Sequence, residues 1–155
     1  MKTTKKWQHS SLNMRIAAVD YGLNIGIAIA AIEETKLYRV YLETLYNQPE
    51  ETIDMINSEN CWAVILEKAP CAPTGVGAVS YSQLLAGIQT LGYGIVKTVR
   101  ENGLVLVPPS QWKPFVSKQK PNLSAWHPKT KHEKDAMGML WYVLRIYKKE
   151  NIEYV

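Results

Sequence analysis

The sequence predicts a mixed α/β domain whose single sheet contains both antiparallel and parallel strands. The order of the predicted elements is the first reason: three strands joined by short turns are followed by helix, strand, helix, strand and helix. Short turns favour antiparallel pairing, whereas strands separated by helices favour parallel pairing. Composition is the second reason, since 46% of the 155 residues are hydrophobic and 21% are charged, which suits one packed domain.

The first three predicted strands form an antiparallel meander. Residues 14–20 are a compact apolar run that ends on Asp20, as expected of a central strand buried on both faces. Residues 25–32 form a second apolar run, with Gly26 at a point where the backbone must come close to another group. Residues 36–45 alternate apolar and polar side chains, so we expect a half-exposed strand nearer an edge.

A helix and a fourth strand follow the meander. The helix begins with a proline and covers about residues 49–57, and the strand covers residues 62–67 and ends on Glu67. The Pro- and Gly-rich residues 68–79 predict a loop. A capping-box pattern then opens a helix over residues 80–91, which has leucine and isoleucine at helical spacing.

The last part of the chain predicts one strand and two helices. The strand covers residues 104–107, and Ser110 is expected to cap a brief helix after it. Thr130 and Glu133 form a second capping-box pattern, so we assign Glu133 to the cap of a helix that ends near Lys149. The expected apolar face of this helix consists of Ala136, Leu140, Val143, Leu144 and Tyr147.

Charge is distributed unevenly along the chain. The net charge is +4, to which residues 1–15 contribute +4, residues 16–67 contribute −7 and residues 68–155 contribute +7. This asymmetry favours a polyanionic partner bound to one part of the surface. The polar, basic and aperiodic residues 1–13 predict a flexible arm, and residues 14–155 predict one domain.

Several classes of protein are excluded by simple features. No apolar run approaches the ~18 residues of a membrane span, and the basic N-terminus lacks the apolar stretch of a signal peptide. Cys61 and Cys71 cannot build a disulfide framework, and their spacing matches no zinc ribbon. We therefore expect a soluble cytoplasmic protein with no membrane partner.

Acidic residues occupy positions where burial is costly. The chain has three aspartates, and Asp20, like Glu67, ends an apolar strand. Asp135 lies in the first turns of the last helix, with His132 three residues before it on the same face. If the two strands are neighbours, their carboxylates repel each other, and a divalent cation would resolve the conflict. Oxygen ligands with one imidazole suit Mg²⁺ or Mn²⁺.

Each of these residues also has a structural explanation. Asp20 could cap the turn that follows it, Glu67 could pair with Lys68 or another nearby base, and Asp135 could interact with the helix dipole. His132 taken alone would more often be structural or exposed. A site is therefore indicated by these residues as a group, because the separate explanations leave the acids at both strand ends unexplained together.

Four segments resemble the RuvC family of Holliday junction resolvases. They are residues 19–30 (VDYGLNIGIAIA), 63–70 (AVILEKAP), 104–113 (LVLVPPSQWK) and 132–140 (HEKDAMGML). They occur in the order and spacing of the family, over roughly residues 14–147. The resemblance implies an RNase H-like fold: a five-stranded mixed sheet with strands 1–3 antiparallel and helices on both faces.

The resemblance also implies a function, namely a homodimeric endonuclease of DNA recombination and repair that resolves four-way junctions by paired symmetric nicks. The nicks would leave a 5′-phosphate and a 3′-hydroxyl. Asp20, Glu67 and Asp135 match acidic metal ligands of the family, and His132 matches a position that holds Asp or His. Lys113 matches a basic residue near the scissile backbone. Two Mg²⁺ ions per active site are implied, with Mn²⁺ tolerated.

One departure from the family concerns the junction centre. An aromatic residue often follows the Glu in the family, but here residues 68–70 are Lys-Ala-Pro, and Tyr81 could take its place. Between residues 113 and 134 there are six lysines and one acid, which suits phosphate contacts. Trp112 and Phe115 are assigned to the core, whereas Trp126 fits the core and a DNA contact equally well. The expected DNA-binding residues are Lys68, Tyr81, Lys113, Lys118, Lys120, Lys129 and Lys131.

A two-fold symmetric junction predicts a two-fold symmetric enzyme. The helix over Ser80–Leu91 is the candidate dimer interface, because it has more apolar residues than one face needs; burial against the sheet is the alternative. Two other functions stay open: an RNase H-like nuclease acting on another branched or hybrid nucleic acid, and an inactive structure-specific DNA-binding protein.

Overall fold

The computed structural model describes residues 14–67 and 103–155 of the chain. The expected basic arm, at residues 1–13, lies outside this part. So do the loop expected over residues 68–79 and the helix expected over residues 80–91, and with them Lys68 and Tyr81.

Six strands of the described residues form one mixed sheet in the order β5-β4-β1-β2-β3-β6. β1 pairs antiparallel with β2, and β2 pairs antiparallel with β3, so the predicted meander is confirmed. The pairs β1–β4, β4–β5 and β3–β6 are parallel. The strands are β1 (Arg15–Asp20), β2 (Asn24–Glu33), β3 (Lys36–Tyr46), β4 (Ala63–Glu67), β5 (Leu104–Val107) and β6 (Glu153–Tyr154).

The sixth strand was not predicted, because two residues are too short to show a strand pattern. β6 pairs with Lys36 and Leu37 at the start of β3. Tyr154 is buried there, and its hydroxyl donates a hydrogen bond to the carbonyl oxygen of Met137. The C-terminal residues therefore cover the outer edge of the sheet beside β3.

Helices cover both faces of the sheet, as predicted. Helix α1 (Pro49–Ser58) packs on one face through Ile56, against a core that includes Val19 and Ile27. Helices α2 (Pro109–Gln119) and α3 (Lys131–Lys148) pack on the other face. Among the residues that the structure describes, no helix is long and apolar enough to cross a membrane.

Helix α2 differs from the prediction at its start and in its length. It has 11 residues and begins at Pro109, with Pro108 at the N-cap, so the assignment of Ser110 as the cap was wrong. Proline suits the first helical position because its fixed φ is already helical and its missing N–H would have no partner there. After the last residues of α2, a short 3₁₀ turn follows at Leu123–Trp126.

Helix α3 begins and ends as predicted, but its apolar face does not include Tyr147. The Thr130 side chain caps it by accepting a hydrogen bond from the N–H of Glu133, at 3.1 Å. Leu144 is buried, whereas Tyr147 is 75% exposed, so its assignment to the apolar face was wrong. The last turn of the helix borders an open cleft beside the exposed Trp62, where the ring meets solvent instead of packed sheet.

Candidate active site

Four residues form a row across the sheet, level with the ends of β1 and β4, on the face covered by α3. Thr44 of β3 is opposite Gly26 of β2, and Gly26 is opposite Asp20 of β1. The parallel pairing of β1 with β4 continues up to the residues just before Asp20 and Glu67, so these two acids end neighbouring strands. Side chains alternate between the faces of a strand, which places both carboxylates on the α3 side.

Gly26 brings the first turn of α3 down onto this row. A Cβ added at Gly26 would lie 2.2 Å from the carbonyl oxygen of His132 and 2.8 Å from its Cβ. Only a residue without a side chain leaves that space. The expectation that a backbone approaches Gly26 is thus confirmed, and the approaching residue is His132, a candidate site residue itself.

The start of α3 is fastened to β3 by a buried carboxylate. Glu133 is 4% exposed, and its Oε2 accepts hydrogen bonds from Oγ1 of Thr44 at 2.8 Å and Oγ1 of Thr130 at 3.2 Å. Its Oε1 accepts from the main-chain N–H of Lys129 at 3.0 Å. The assignment of Glu133 to the cap is confirmed, because all of these contacts hold the helix start and none reaches the other acids.

His132 and Asp20 form a direct pair. Nδ1 of His132 lies 3.0 Å from Oδ2 of Asp20, and the side chains are 39% and 15% exposed, respectively. An ionised carboxylate can only accept, so Nδ1 carries the proton in this bond. In a neutral imidazole this leaves Nε2 with a free lone pair.

The carboxylates of the row and of α3 share one electrostatic environment. Burial raises the pKa of Asp20 to about 6; the hydrogen bond from His132 lowers it, and the charges of Asp135 and Glu67 raise it. Burial also raises the pKa of Asp135, while the nearby Lys113 and Lys131 lower it. The effect of Asp135 and Glu67 on the pKa of Asp20 agrees with the expected repulsion between these carboxylates.

Glu67 is held by a residue that the sequence reasoning assigned to the core alone. Nε1 of Trp112 donates to Oε2 of Glu67 at 2.8 Å, and Nζ of Lys113 lies 5.6 Å from the centroid of the Trp112 ring. Trp112 is indeed buried, and so is Trp126, whose Nε1 donates to the carbonyl oxygen of Val155. The sequence did place Trp112 next to Lys113 and in the first turn after a strand, and this position could have indicated a role at the site.

The donor set suits a divalent cation. Within residues 14–67 and 103–155, no three His, Cys, Asp or Glu side chains lie close enough together to form a ready metal cage. However, Asp20 is a largely buried carboxylate whose pKa is raised further by two neighbouring carboxylates. A hard cation would neutralise this repulsion, and oxygen donors with one imidazole are the ligands that Mg²⁺ and Mn²⁺ accept. The residues present therefore fit such an ion.

Exposed lysines border the acids. All five predicted DNA-binding lysines that the structure describes are exposed, and two of them, Lys113 and Lys131, are close enough to Asp135 to lower its pKa. They lie on α2, in the segment after it and at the start of α3. The five are Lys113, Lys118, Lys120, Lys129 and Lys131.

The fold, with acids where the central strand and its parallel neighbour end, is that of an RNase H-like domain. Solved structures of Holliday junction resolvases share it. Thermus thermophilus RuvC in complex with a Holliday junction substrate matches with a TM-score of 0.66 at 13% identity, covering 90% of this chain and 98% of that one. Another Thermus thermophilus RuvC structure matches with a TM-score of 0.63 at 14% identity, covering 88% and 97%.

A viral enzyme has the same fold. The fowlpox virus resolvase, in complex with substrate Holliday junction DNA, matches with a TM-score of 0.51 at 15% identity and covers 86% of this chain and 99% of that one. No family model matches the chain, and no curated protein matches it by sequence. The likeness at these identities is one of fold. It agrees with the resemblance of the four sequence segments.

Proposed function

We propose that this chain is a structure-selective endonuclease that resolves four-way DNA junctions by paired symmetric nicks. One observation supports the proposal: Asp20 pairs with His132, and the charges of Asp135 and Glu67 lie near enough to raise the pKa of its carboxyl. The fold around this cluster is shared with a RuvC solved on a Holliday junction substrate. Cutting junctions would place the protein in DNA recombination and repair, in the cytoplasm.

The residues that would hold metal are Asp20, Glu67, His132 and Asp135. Two Mg²⁺ ions per site, with Mn²⁺ tolerated, would supply a hydroxide nucleophile at neutral pH and stabilise charge on the leaving 3′-oxygen. Hydroxide would form a new bond to phosphorus while the bond between phosphorus and the 3′-oxygen breaks; the 3′-oxygen stays on its sugar and takes up a proton, so the products would be a 3′-hydroxyl and a 5′-phosphate that can be ligated. The chain contributes the largely buried carboxylate of Asp20, whose repulsion by Asp135 and Glu67 a bound cation would offset.

His132 and Lys113 would supply what the carboxylates cannot. His132 donates from Nδ1 to Asp20, which leaves Nε2 to bind an ion or to orient the attacking water. Lys113 is an exposed cation beside Asp135, where it can contact an oxygen of the scissile phosphate. Both positions depend on α2 and α3, which lie on the same face of the sheet.

The exposed lysines around the acids suit the phosphates of the duplex arms. Such contacts orient a duplex without reading its bases, and they weaken steeply with salt. Lys68, Tyr81 and the basic arm at residues 1–13 belong to the same proposal as further DNA contacts. The rest of the chain, residues 14–155, would be one nuclease domain.

Paired nicks require two active sites related by a two-fold axis. We therefore propose a homodimer, with the apolar helix predicted over residues 80–91 as the candidate interface. A mass measurement by light scattering tests this part by itself. A monomer in the presence and absence of junction DNA would contradict it.

The activity is tested with a labelled synthetic four-way junction in Mg²⁺ or Mn²⁺, beside a linear duplex and an RNA–DNA hybrid. The variant Asp20→Asn removes the charge at the centre of the cluster. Asp54→Asn is the matched control, because Asp54 is exposed on α1, on the opposite face of the sheet. We expect symmetric, ligatable nicks in the junction alone, lost in Asp20→Asn and kept in Asp54→Asn.

The other outcomes separate the alternatives. Cleavage of the hybrid alone would mean an RNase H-like nuclease with a different substrate. Junction binding without cleavage in both metals would mean an inactive structure-specific DNA-binding protein. Cleavage that survives Asp20→Asn would contradict the proposed site.

A further inference from the structure

We propose that Trp112 is a positioning residue of the active site, which sets Glu67 through its indole N–H and Lys113 through its ring. The inference rests on the proposed function for what these two side chains do. Nε1 of Trp112 donates to Oε2 of Glu67 at 2.8 Å, and Nζ of Lys113 lies 5.6 Å from the ring centroid. A single buried side chain thus contacts an anion and a cation of the same site.

The chain path explains how Trp112 reaches Glu67. Val107 of β5 pairs with Glu67 at the end of β4, and α2 begins two residues after Val107. Trp112 lies in the first turn of that helix, and its main-chain nitrogen, 3.3 Å from the carbonyl oxygen of Pro108, donates a hydrogen bond to it. The pairing of β5 with β4 and the start of α2 therefore place the indole of Trp112 beside Glu67, the last residue of β4.

Helix α3 holds the indole from the other side. A Cβ added at Gly138 would lie 2.9 Å from Cζ3 of Trp112 and 3.4 Å from its Cε3. The ring therefore packs directly on the backbone of α3, and Trp112 is 3% exposed. Because packing fixes the position of the indole, its hydrogen bond restrains the side chain of Glu67.

The acceptor of this bond distinguishes Trp112 from two other buried tryptophans. Trp126 donates to the carbonyl oxygen of Val155, and Trp141 donates to the carbonyl oxygen of Ile152. Those bonds satisfy a donor and an acceptor of the core. Only the bond of Trp112, among these three, restrains a carboxylate of the candidate site.

The test uses three variants. Trp112→Phe removes the N–H and keeps an aromatic face for Lys113, whereas Trp112→Leu removes both. Trp126→Phe is the matched control, because it also deletes one N–H from a buried indole, at a main-chain partner near the C-terminus. The melting temperature of each variant reports the purely structural cost.

Two measurements do not depend on cleavage. The first is binding of Mn²⁺ alone, followed by electron paramagnetic resonance of the free ion. Partners that orient a metal ligand typically change affinity or activity by about 10–100-fold, and we expect a loss in this range for Trp112→Phe and less than twofold for Trp126→Phe. The second is the indole ¹H–¹⁵N resonance of Trp112, which Glu67→Ala should move while that of Trp126 stays in place.

Kinetics then separate positioning from binding. We expect Trp112→Phe to lower kcat on the junction with KM unchanged, and Trp112→Leu to lower kcat further. Gly138→Ala leaves Trp112 in the chain but displaces its ring, so it should lower kcat in the same direction and keeps the test valid if Trp112→Phe does not fold.

Two results would overturn the inference: Trp112→Phe matching Trp126→Phe within twofold in both Mn²⁺ affinity and kcat, or an indole resonance of Trp112 indifferent to Glu67→Ala. Failure of the wild-type protein to cut junctions would instead contradict the proposed function. In that case the Mn²⁺ and resonance measurements still decide the role of Trp112.

Discussion

Replacing Asp20 with Asn should abolish cleavage and also make the metal-free protein more stable at neutral pH. The Asp20 side chain is 15% exposed, and its pKa rises from the ordinary 3.8 to about 6, with burial as the main cause. Between about pH 4 and pH 6, the carboxyl of Asp20 therefore keeps a proton in the folded protein that it has lost in the unfolded chain. Stability from the neutral carboxyl is fully present below pH 4 and is lost as pH rises through about 6.

The magnitude follows from that difference. About two pKa units at about 1.4 kcal/mol each give on the order of 3 kcal/mol between pH 4 and pH 7.5. Asn cannot ionise, and its side-chain oxygen can still accept from Nδ1 of His132. Asp20→Asn should therefore be more stable than the wild type by about 2–3 kcal/mol at pH 7.5, with the advantage shrinking towards zero near pH 4.

Urea unfolding followed by circular dichroism, in EDTA at both pH values, measures this difference. Asp54→Asn, an exposed change, should stay within about 0.5 kcal/mol of the wild type at each pH. Adding MgCl₂ at pH 7.5 should stabilise the wild type and leave Asp20→Asn unchanged, because a ligand that binds only the folded state raises its stability. If Asp20→Asn gains nothing between pH 4 and pH 7.5, the buried and crowded carboxylate is not the source of strain inferred from the structure.

Further predictions address other parts of the site. Lys113→Ala should slow single-turnover cleavage by about 100-fold with junction affinity within twofold; a loss of affinity alone would assign it to binding. Thr130→Ala should cost about 1 kcal/mol in urea unfolding, whereas Ser110→Ala, at a position that caps nothing, should cost almost nothing; equal costs would contradict the assignment of the cap. Gly26→Ala forces a methyl group to 2.2 Å from a carbonyl oxygen of α3, and should destabilise by about 2 kcal/mol or more. Gly22→Ala, where the nearest contact is 3.5 Å, should not. Junction affinity measured by fluorescence anisotropy should fall by at least about 10³-fold between 50 and 200 mM salt if six phosphates are contacted. An affinity that does not change with salt would contradict the proposed phosphate contacts of the exposed lysines.

Local patterns in the sequence were sufficient for most of the fold. The apolar runs of β1 and β2 predict buried central strands, and the pairing of these strands agrees. The cap formed by Thr130 and Glu133 lies within three residues, so its chemistry is readable in the sequence. Errors occurred where the pattern was short or conflicted, as at β6 and at Ser110, where the prolines on its N-terminal side start the helix.

The sequence nominated the members of the candidate site but not their contacts. A carboxylate at the end of an apolar strand is costly to bury, and the sequence alone shows that it occupies such a position. The bond between His132 and Asp20, in contrast, joins residues 112 positions apart. It required Gly26 to admit the start of α3, which no single segment reveals.

The sequence by itself determined which residues are acidic, basic or apolar and where most of the strands and helices lie, because these depend on side chains a few positions apart. Tertiary structure alone decided that Glu133 would bind Thr44 and that Trp112 would hold Glu67. Both bonds depend on which strands become neighbours and on how closely α3 approaches the sheet. That approach is a result of packing the core between α3 and the sheet, which residues from many parts of the chain form together.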